Sequence, residues 1–593
     1  MDQPPLTPMS LRALLGRIAH EWESRGRIFD LMSARIWMPD PEIDLSFDFL
    51  GRRAATPIGP AAGPNTQMAQ NIVLAWLGGS RVFELKTVQV MDDLDIARPC
   101  IDMQTIGYNI EWSQELTVAE SIDEYVKAWM MIEILKRWEP LRDFVGVDSG
   151  PLVFDMSVGY DLEGISSDKV RTFIETMMDA SERIEALRSE IPEPFGEFRD
   201  LDFPTRIADT LTLSTFHGCP PDEIDAIVRH LMDEHGLDVI VKLNPTLLGF
   251  DNVESLLHDT LGYDDVTITR DAFDADLQFD RALGLIEELG EHADSLGRKF
   301  GIKLSNTLVV KNERGWMPDD PMYLSGAPLH VIASTILDRL VTALPGTFDL
   351  PGEDGTRIVS FSAGVRKENL ADTIAMGVGP VTMCTDLLKQ NGYGRLVPML
   401  KELTAEIASS GHRSLAAWRM EKLAQARAAG YRDWVAGHVA SIVNENIGLY
   451  NKEGNSKKPR EVDSKLQMWG CVACNLCVTV CPNDAFVKLP SPEHLADEIG
   501  GRWQYVVFAE LCNYCGNCLT FCPEDGYPAE IKPRLWLDES RFVGAAGEGQ
   551  GFRLVATDDG FVPIAAEGWE SEVPTLTAVI SGDQGVPIRA TDV

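Results

Sequence analysis

Two cysteine runs constrain this chain more than any other feature. The first reads Cys471-Val-Ala-Cys474-Asn-Leu-Cys477-Val-Thr-Val-Cys481-Pro482, the second Cys512-Asn-Tyr-Cys515-Gly-Asn-Cys518-Leu-Thr-Phe-Cys522-Pro523. Each is C-x2-C-x2-C-x3-C-P. Three closely spaced thiolates wrap one face of an iron–sulfur cubane, and the fourth sits on a turn that leads away and ligates the other cluster. The spacing therefore predicts two [4Fe–4S] clusters. One takes Cys471, Cys474, Cys477 and Cys522; the other takes Cys512, Cys515, Cys518 and Cys481. The proline after each fourth cysteine fixes φ and ends that turn. The alternative is a pair of structural zinc sites, which usually draw two ligands from one place and two from another; here each run supplies four.

The module spans roughly 460–540 and resembles the bacterial-type two-cluster ferredoxin domain, a small α+β fold. Two clusters in series conduct single electrons, so the chain is expected to be a redox conduit. Cys100, Cys219 and Cys384 lie far apart in sequence. Of these, Cys100 and Cys384 read as buried small hydrophobes.

The part before the module alternates short β-rich runs with helix-length segments. The runs are Ala55–Ala61, Arg81–Val88, Leu152–Gly159, Asp209–Phe216, Leu237–Pro245, Lys299–Thr307, Thr356–Gly364 and Gly379–Asp386. Their near-continuous apolar character suits parallel strands covered on both faces. Pro221–Leu231, Phe279–Leu289 and Asn369–Met376 read as amphipathic helices. Eight strand–helix units predict an α/β fold, a closed (β/α)8 TIM barrel over 51–410, with an open doubly wound sheet as the alternative. Spare residues after the second and fifth runs read as insertions over one end. Residues 1–50 form a helical extension, with a helix at Leu11–Trp22 stopped by Trp37-Met38-Pro39. Residues 411–459 read as a helical linker ending in the polar stretch Asn451–Pro459. The tail 541–593, with Gly544, Gly547, Gly549 and Gly551, is expected to be loop-rich.

Of the 593 residues, 45% are hydrophobic and 24% charged, enough for a sizeable core. The formal net charge is −38. So acidic a surface repels phosphodiester backbones and anionic lipid, which argues against nucleic-acid and membrane partners. No apolar run approaches the roughly 20 residues of a spanning helix. The start carries Asp and Pro where a signal peptide has positive charge. A cytoplasmic protein is expected.

A barrel's active site lies where its strands end, and these ends carry chemistry. The first ends Gly59-Pro-Ala61-Ala62-Gly63, small residues that let a flat ligand approach the backbone. Lys86 and Lys242, on the second and fifth strands, suit an electron-rich ring and its reduced anion. Gly364 and Thr385, after strands seven and eight, are placed to offer amides to a phosphate. Together, and beside an electron-transfer module, these features predict FMN. Taken singly, each lysine is equally an ion-pair partner and each glycine a turn residue.

At these strand ends the barrel resembles the dihydroorotate dehydrogenase/dihydropyrimidine dehydrogenase superfamily. The matching pieces are Pro57-Ile-Gly59-Pro, Leu85-Lys86-Thr87, Tyr108-Asn109-Ile110-Glu111, Leu213-Ser214-x-x-His217-Gly218, Val241-Lys242-Leu243-Asn244-Pro245 and Ser305-Asn306-Thr307. Residues 10–410 are also similar to a bacterial family provisionally named selenate reductase subunits, through Met156–Tyr160, His217–Pro221 and Lys242–Gly249. That family looks like ring-reducing flavoenzymes of purine and pyrimidine metabolism. The resemblance implies FMN contacts at Asn109, Lys242 and Lys86, and a heterocycle held by Asn109, Asn306 and Thr307. It also implies a Cys or Ser general acid on the strand-four loop, where this chain has Thr215. A threonine relaying a proton needs an acid or base partner. His217 is therefore ranked with Thr215 first, and Cys219 second.

The expected reaction runs electrons through both clusters to FMN, which reduces a C=C or C=N bond of a heterocyclic substrate. No strand–GxGxxG–helix unit is present. FAD and NAD(P)H are therefore expected on a partner resembling the glutamate synthase small subunit, or a ferredoxin donates instead, within an oligomeric complex. Two other readings stand beside this one: a flavo-iron–sulfur reductase of a non-ring substrate (an enoate or an imine), and an electron-transfer subunit with a non-catalytic barrel.

Overall fold

A computed structural model describes residues 6–592 apart from 93, 95, 111–112, 146–148, 314, 316, 547–550, 559 and 582–584. Glu111, Gly547 and Gly549, singled out above, lie outside the described residues. Eight parallel strands form the central sheet: β1 (Ile58–Pro60), β2 (Val82–Glu84), β3 (Val153–Val158), β4 (Thr210–Ser214), β5 (Asp238–Leu243), β6 (Phe300–Leu304), β7 (Ile358–Phe361) and β8 (Val381–Met383). Each hydrogen-bonds the next from β2 round to β8, and β8 pairs with β1. The seam between β1 and β2 is closed by the Arg81 amide donating to the Ile58 carbonyl at 3.1 Å. This is the TIM barrel the sequence predicts. Its strands are buried on both faces, which is why they read as continuous apolar runs rather than alternating ones.

The hairpin Phe47–Phe49/Arg52–Ala54 plugs the end where the strands begin. Phe49, Leu50 and Ala54 pack there with Val82, Val153, Ile240 and Ile358. The Arg52 guanidinium pairs with Asp209 and Asp238 at the starts of β4 and β5. The opposite end is covered by a four-stranded antiparallel sheet of Leu308–Val310, Met322–Ser325, Gly107–Asn109 and Ile101–Asp102. These strands come from the β2–β3 and β6–β7 connections. The β6–β7 contribution differs from the expected insertion after β5. The β5–β6 connection instead carries short helices and Asp276.

The N-terminal helix spans Leu11–Arg25. It stops at Gly26, whose φ of 59° only glycine adopts without strain and whose amide caps Glu21 and Trp22. The stop signal is thus Gly26 and not Trp37-Met38-Pro39. Helices Leu415–Ala428 and Trp434–Asn444 lie on the barrel: the Arg419 guanidinium donates to the Ile374 and Val378 carbonyls, and the Trp434 indole donates to Asp372 O.

A second sheet runs β9 (Phe486–Pro490), β10 (Trp503–Phe508), β11 (Arg534–Trp536), β12 (Phe552–Thr557) and β13 (Gly560–Ala565), in that order. The expectation of a loop-rich tail is corrected here. Residues 552–565 form a hairpin that extends the cysteine domain's own sheet, and the helix Val573–Ile580 follows. The glycines of 544–551 suggest coil, whereas the segments Phe552–Thr557 and Gly560–Ala565 pair antiparallel from Thr557 and Gly560 onward.

Candidate functional site

A cavity of about 450 Å³ opens at the strand ends under the antiparallel cover, within the range of ligand and cofactor sites. Ala61 and Ala62 form part of its wall after β1. Lys86, Asn109 and Lys242 line it, as do Gly364 and Thr385 after β7 and β8. Asn306, Thr307 and Thr215 line it too. The structure thus brings together ten of the thirteen barrel residues singled out.

Three do not reach the cavity. Gly59 lies at the β1–β2 seam, where an added Cβ would overlap the Val82 carbonyl. Its glycine serves barrel closure, not a ligand. His217 is held away from the cavity: Nδ1 is 3.1 Å from Asp276 Oδ2, and the ring stacks on Tyr323 at 5.6 Å between centroids. Cys219 is buried just before the helix Pro221–Asp233, and burial pushes its thiol to about 12. Neither His217 nor Cys219 is placed to hand a proton to a ligand. Conversely Cys384, expected as a buried hydrophobe, is half-buried and lines the cavity, with its thiol pushed to about 11 by burial. Cys100 is fully buried, with the Arg98 guanidinium 2.6 Å from its sulfur.

Below Thr215 lies a polar network invisible in the sequence. The Thr215 hydroxyl donates to the Lys242 carbonyl at 2.7 Å. The Asn306 amide donates to Thr215 O and to Asn244 Oδ1, at 3.2 and 3.1 Å. Asn244 Nδ2 and the Thr246 hydroxyl both donate to Asp276 Oδ2, at 3.2 and 2.8 Å, and the Gly218 amide reaches the other carboxylate oxygen. Asp276 therefore orients Asn306 through Asn244 and anchors the strand-four loop through His217 and Gly218. Burial pushes its carboxyl up, but the hydrogen bond and charge of His217 and the donors Gly218 and Thr246 outweigh this and hold it low. Asp276 sits in an acidic stretch whose one-dimensional pattern is that of a solvated helix.

Lys303 and Glu84, from β6 and β2, form a buried ion pair at the cavity floor, and Lys303 also reaches the Thr382 hydroxyl at 3.1 Å. Burial pulls Lys303 down toward about 7, opposed by Cys384. The inward register of Lys303 beside Lys242 was the available signal. Lys86, Lys242 and Lys303 facing one cavity with the small wall Ala61–Ala62–Gly63 fit a flat group that carries or acquires negative charge. The helix after Gly364 begins only at Leu370, and Thr385 opens a short 3-10 turn. The Thr385 hydroxyl is 2.8 Å from that of Ser325, which ties the β8 loop to the covering sheet.

The loop after β7 is braced from behind. His330 hydrogen-bonds the Ala363 carbonyl through Nδ1 (2.9 Å) and His438 through Nε2 (2.9 Å). With Nδ1–H donated to Ala363, neutral His330 accepts from His438 Nε2–H, which fixes both tautomers. Burial lowers both pKa values, that of His438 to about 4. Below the unfolded value of 6.5 the unfolded chain binds protons the folded one refuses. The brace thus stabilises fully above pH 6.5, and its contribution is lost as pH falls toward 4, by about 3 kcal/mol in all for His438. In thermal melts across this window, the wild-type curve is expected to fall more steeply than that of His438→Phe; parallel curves would refute the assignment.

In the cysteine domain, Cys471, Cys474, Cys477 and Cys522 surround one small void. Cys518 has Cys512, Cys515 and Cys481 as its nearer cysteine neighbours, followed by Cys477 of the first run. Each run's fourth cysteine thus lies beside the other run's first three. The two loops wrap alike: Ala473 and Asn475 in one, Tyr514 and Gly516 in the other, all adopt positive φ. Among the described residues no group of three or more His, Cys, Asp or Glu side chains is placed to hold a single metal ion. The second loop docks on the barrel. The Cys515 carbonyl accepts from the Cys100 and Ile101 amides at 3.0 and 2.9 Å, and the Asn517 amide donates to Leu388 O at 2.7 Å. Ile101 and Leu388 line the cavity. Behind Cys481, the fully buried Arg17 of the N-terminal helix pairs with Asp484 at 2.7 Å.

Residues 29–433 match the family model described as oxidoreductase YgfK, N-terminal TIM-barrel domain, and residues 455–525 match that of the 4Fe-4S dicluster domain. Two curated relatives, from Escherichia coli (strain K12) and Escherichia coli O157:H7, carry the provisional name oxidoreductase YgfK. Each is 38% identical over 421 residues, covering 67% of this chain and 39% of the relative. The chain therefore spans well under half the length of those proteins. Among solved structures, a DHODH from Eimeria tenella crystallised with ferulenol covers 70% of this chain and 96% of its own, at 14% identity and a TM-score of 0.38. Among the described residues no helix is long and apolar enough to cross a membrane. A barrel match over two thirds of the chain, followed by a dicluster match, makes this chain a member of the YgfK oxidoreductase family with a 4Fe-4S dicluster domain.

Proposed function

We propose that the barrel cavity holds FMN and that the chain reduces a C=C or C=N bond of a purine- or pyrimidine-like heterocycle. The observation that carries this reading is the cavity itself: three lysines and two asparagines facing one space whose wall is hydrogen-bonded to an iron–sulfur domain. Bound FMN would supply the exchange between single electrons and electron pairs. Lys86 and Lys242 set positive charge against the ring. Gly364 and Thr385 bound the end where loop amides meet the phosphate. Asn306, oriented through Asn244 and Asp276, and Asn109 hold the amide or ureide edge of the substrate, and a site built to bind such a group discriminates against analogues that lack it. The covering sheet limits water at the cavity. FAD and NAD(P)H belong, in this reading, to a separate reductase subunit like the glutamate synthase small subunit, or a ferredoxin is the donor.

Of the three residues expected to move the proton, Thr215 is the one that lines the cavity; as a relay it needs an acid partner, and Lys242, Lys303 and Cys384 on the same cavity are the candidates. In the resting geometry its Oγ1–H is held by the Lys242 carbonyl, and rotation about χ1 redirects it into the cavity. Thr215→Val removes the hydroxyl and keeps the shape. Its kcat is expected to fall about 100-fold or more with FMN affinity unchanged. An unaltered kcat would eliminate Thr215 as donor. The function as a whole is tested by loading the anaerobic, cluster-replete protein with FMN and following reoxidation of the reduced flavin by uracil, xanthine, urate and orotate. A protein that binds no FMN, or whose reduced flavin is reoxidised by none of these rings, overturns the reading.

A further inference from the structure

We propose that the two clusters occupy fixed places in an ordered relay. The set Cys481, Cys512, Cys515 and Cys518 faces the cavity. The set Cys471, Cys474, Cys477 and Cys522 faces the external donor, and Tyr393 is the positioning residue that ties the inner set to the cavity wall. This deepens the reading of the cavity as a cofactor site and rests on it.

Three observations converge. First, exposure is polarised. Cys474 is exposed and Val472 beside it is 50% exposed, whereas Cys512, Cys515 and Cys518 are buried. Second, every direct tie given above between a cysteine loop and a cavity-lining residue runs from the inner set, through Cys515 to Ile101 and through Asn517 to Leu388. Third, a buried hydroxyl bridges the two regions. Tyr393 accepts from Asn65 Nδ2 at 3.3 Å and lies 3.2 Å from the carbonyl of Pro482, the residue after Cys481. Asn65 in turn accepts from the thiol of Cys384, a cavity residue, at 3.6 Å. Hydrogen bonding and solvent exposure around a cluster set its potential. A donor protein reaches the set that includes exposed Cys474, while three of the inner set's four cysteines are buried and the fourth, Cys481, is half-buried.

The test uses the full chain, reconstituted anaerobically and reduced with dithionite, with a water-soluble dysprosium chelate as an electron-spin relaxer. One cluster signal is expected to relax several-fold faster in its presence, and the other to be nearly unaffected. Tyr393→Phe removes only the hydroxyl. It is expected to shift the midpoint potential of the shielded cluster and leave the accessible one in place. Asn517→Ala, which breaks the tie to Leu388, gives the same readout should Tyr393→Phe fail to fold. Added FMN is expected to change the line shape of that same shielded cluster. Equal relaxation of both signals, or a shift confined to the dysprosium-accessible cluster, overturns the proposal. Failure to bind FMN sinks the cavity reading alone, because the relaxation and potential measurements then still decide the order.

Discussion

Replacing Gly59 by alanine will prevent the barrel from closing. The β1–β2 seam is short, with Arg81 N to Ile58 O as its backbone hydrogen bond, and Gly59 sits where the Val82 carbonyl crosses. A methyl group there overlaps backbone rather than a side chain, so no rotamer change relieves it. The strands must separate, opening the seam and exposing Ile58 and Val82, both fully buried. Overlap with a rigid neighbour in a close-packed interior belongs to the large-effect class of mutations, above about 4 kcal/mol. The expected result is loss of soluble protein, or a urea midpoint lowered beyond the range of ordinary core variants. An alanine variant with a wild-type midpoint and weakened FMN binding would instead make Gly59 a ligand-contact residue.

Asp276→Ala is expected to cost about 3–5 kcal/mol and to disorder the site at the same time. The carboxylate collects Thr246, Asn244, Gly218 and His217. Deleting it leaves buried donors without an acceptor, each worth about 1–3 kcal/mol, with partial relief from water entering the gap. Asn306 then loses the chain of amides that orients it, so KM for the substrate rises as well. Asp276→Asn keeps the shape and one acceptor but turns a donor toward its neighbours, and should fall between. Because the folded carboxyl is held below its ordinary 3.8, this network contributes stability that is fully present above that value and lost only as pH falls through the lower folded one. Its acid transition therefore lies below the His438 window. Denaturation of Asp276→Ala within about 1 kcal/mol of wild type would remove Asp276 from this role.

Much of the site was legible because its chemistry is written locally. Lys86, Lys242 and Asn306 sit at ends of apolar runs, where a barrel collects its functional groups. What misled was proximity along the chain. His217 and Cys219 lie two and four residues from Thr215, yet the turn at Gly218 (φ 82°) aims them away, toward Asp276 and the following helix. Gly59 carries the same lesson: small residues look alike in sequence whether a ligand or a neighbouring strand needs the space. Asp276 and the Lys303–Glu84 pair were missed because their partners lie 30 to 219 residues away. The hairpin 552–565 was hidden behind a glycine-rich stretch.

The chain's sequence by itself determined a 4Fe-4S dicluster domain and an eight-unit α/β barrel, because cysteine spacing and apolar run length are local and each admits few geometries. The tertiary structure alone decided which cysteine loop meets the barrel wall, which carboxylate orients Asn244 and Asn306, and which of the expected proton donors lines the cavity. The first is a contact between the cysteine domain and a barrel segment 129 residues away; the others join barrel segments 27 to 91 residues apart, and no periodicity encodes any of them.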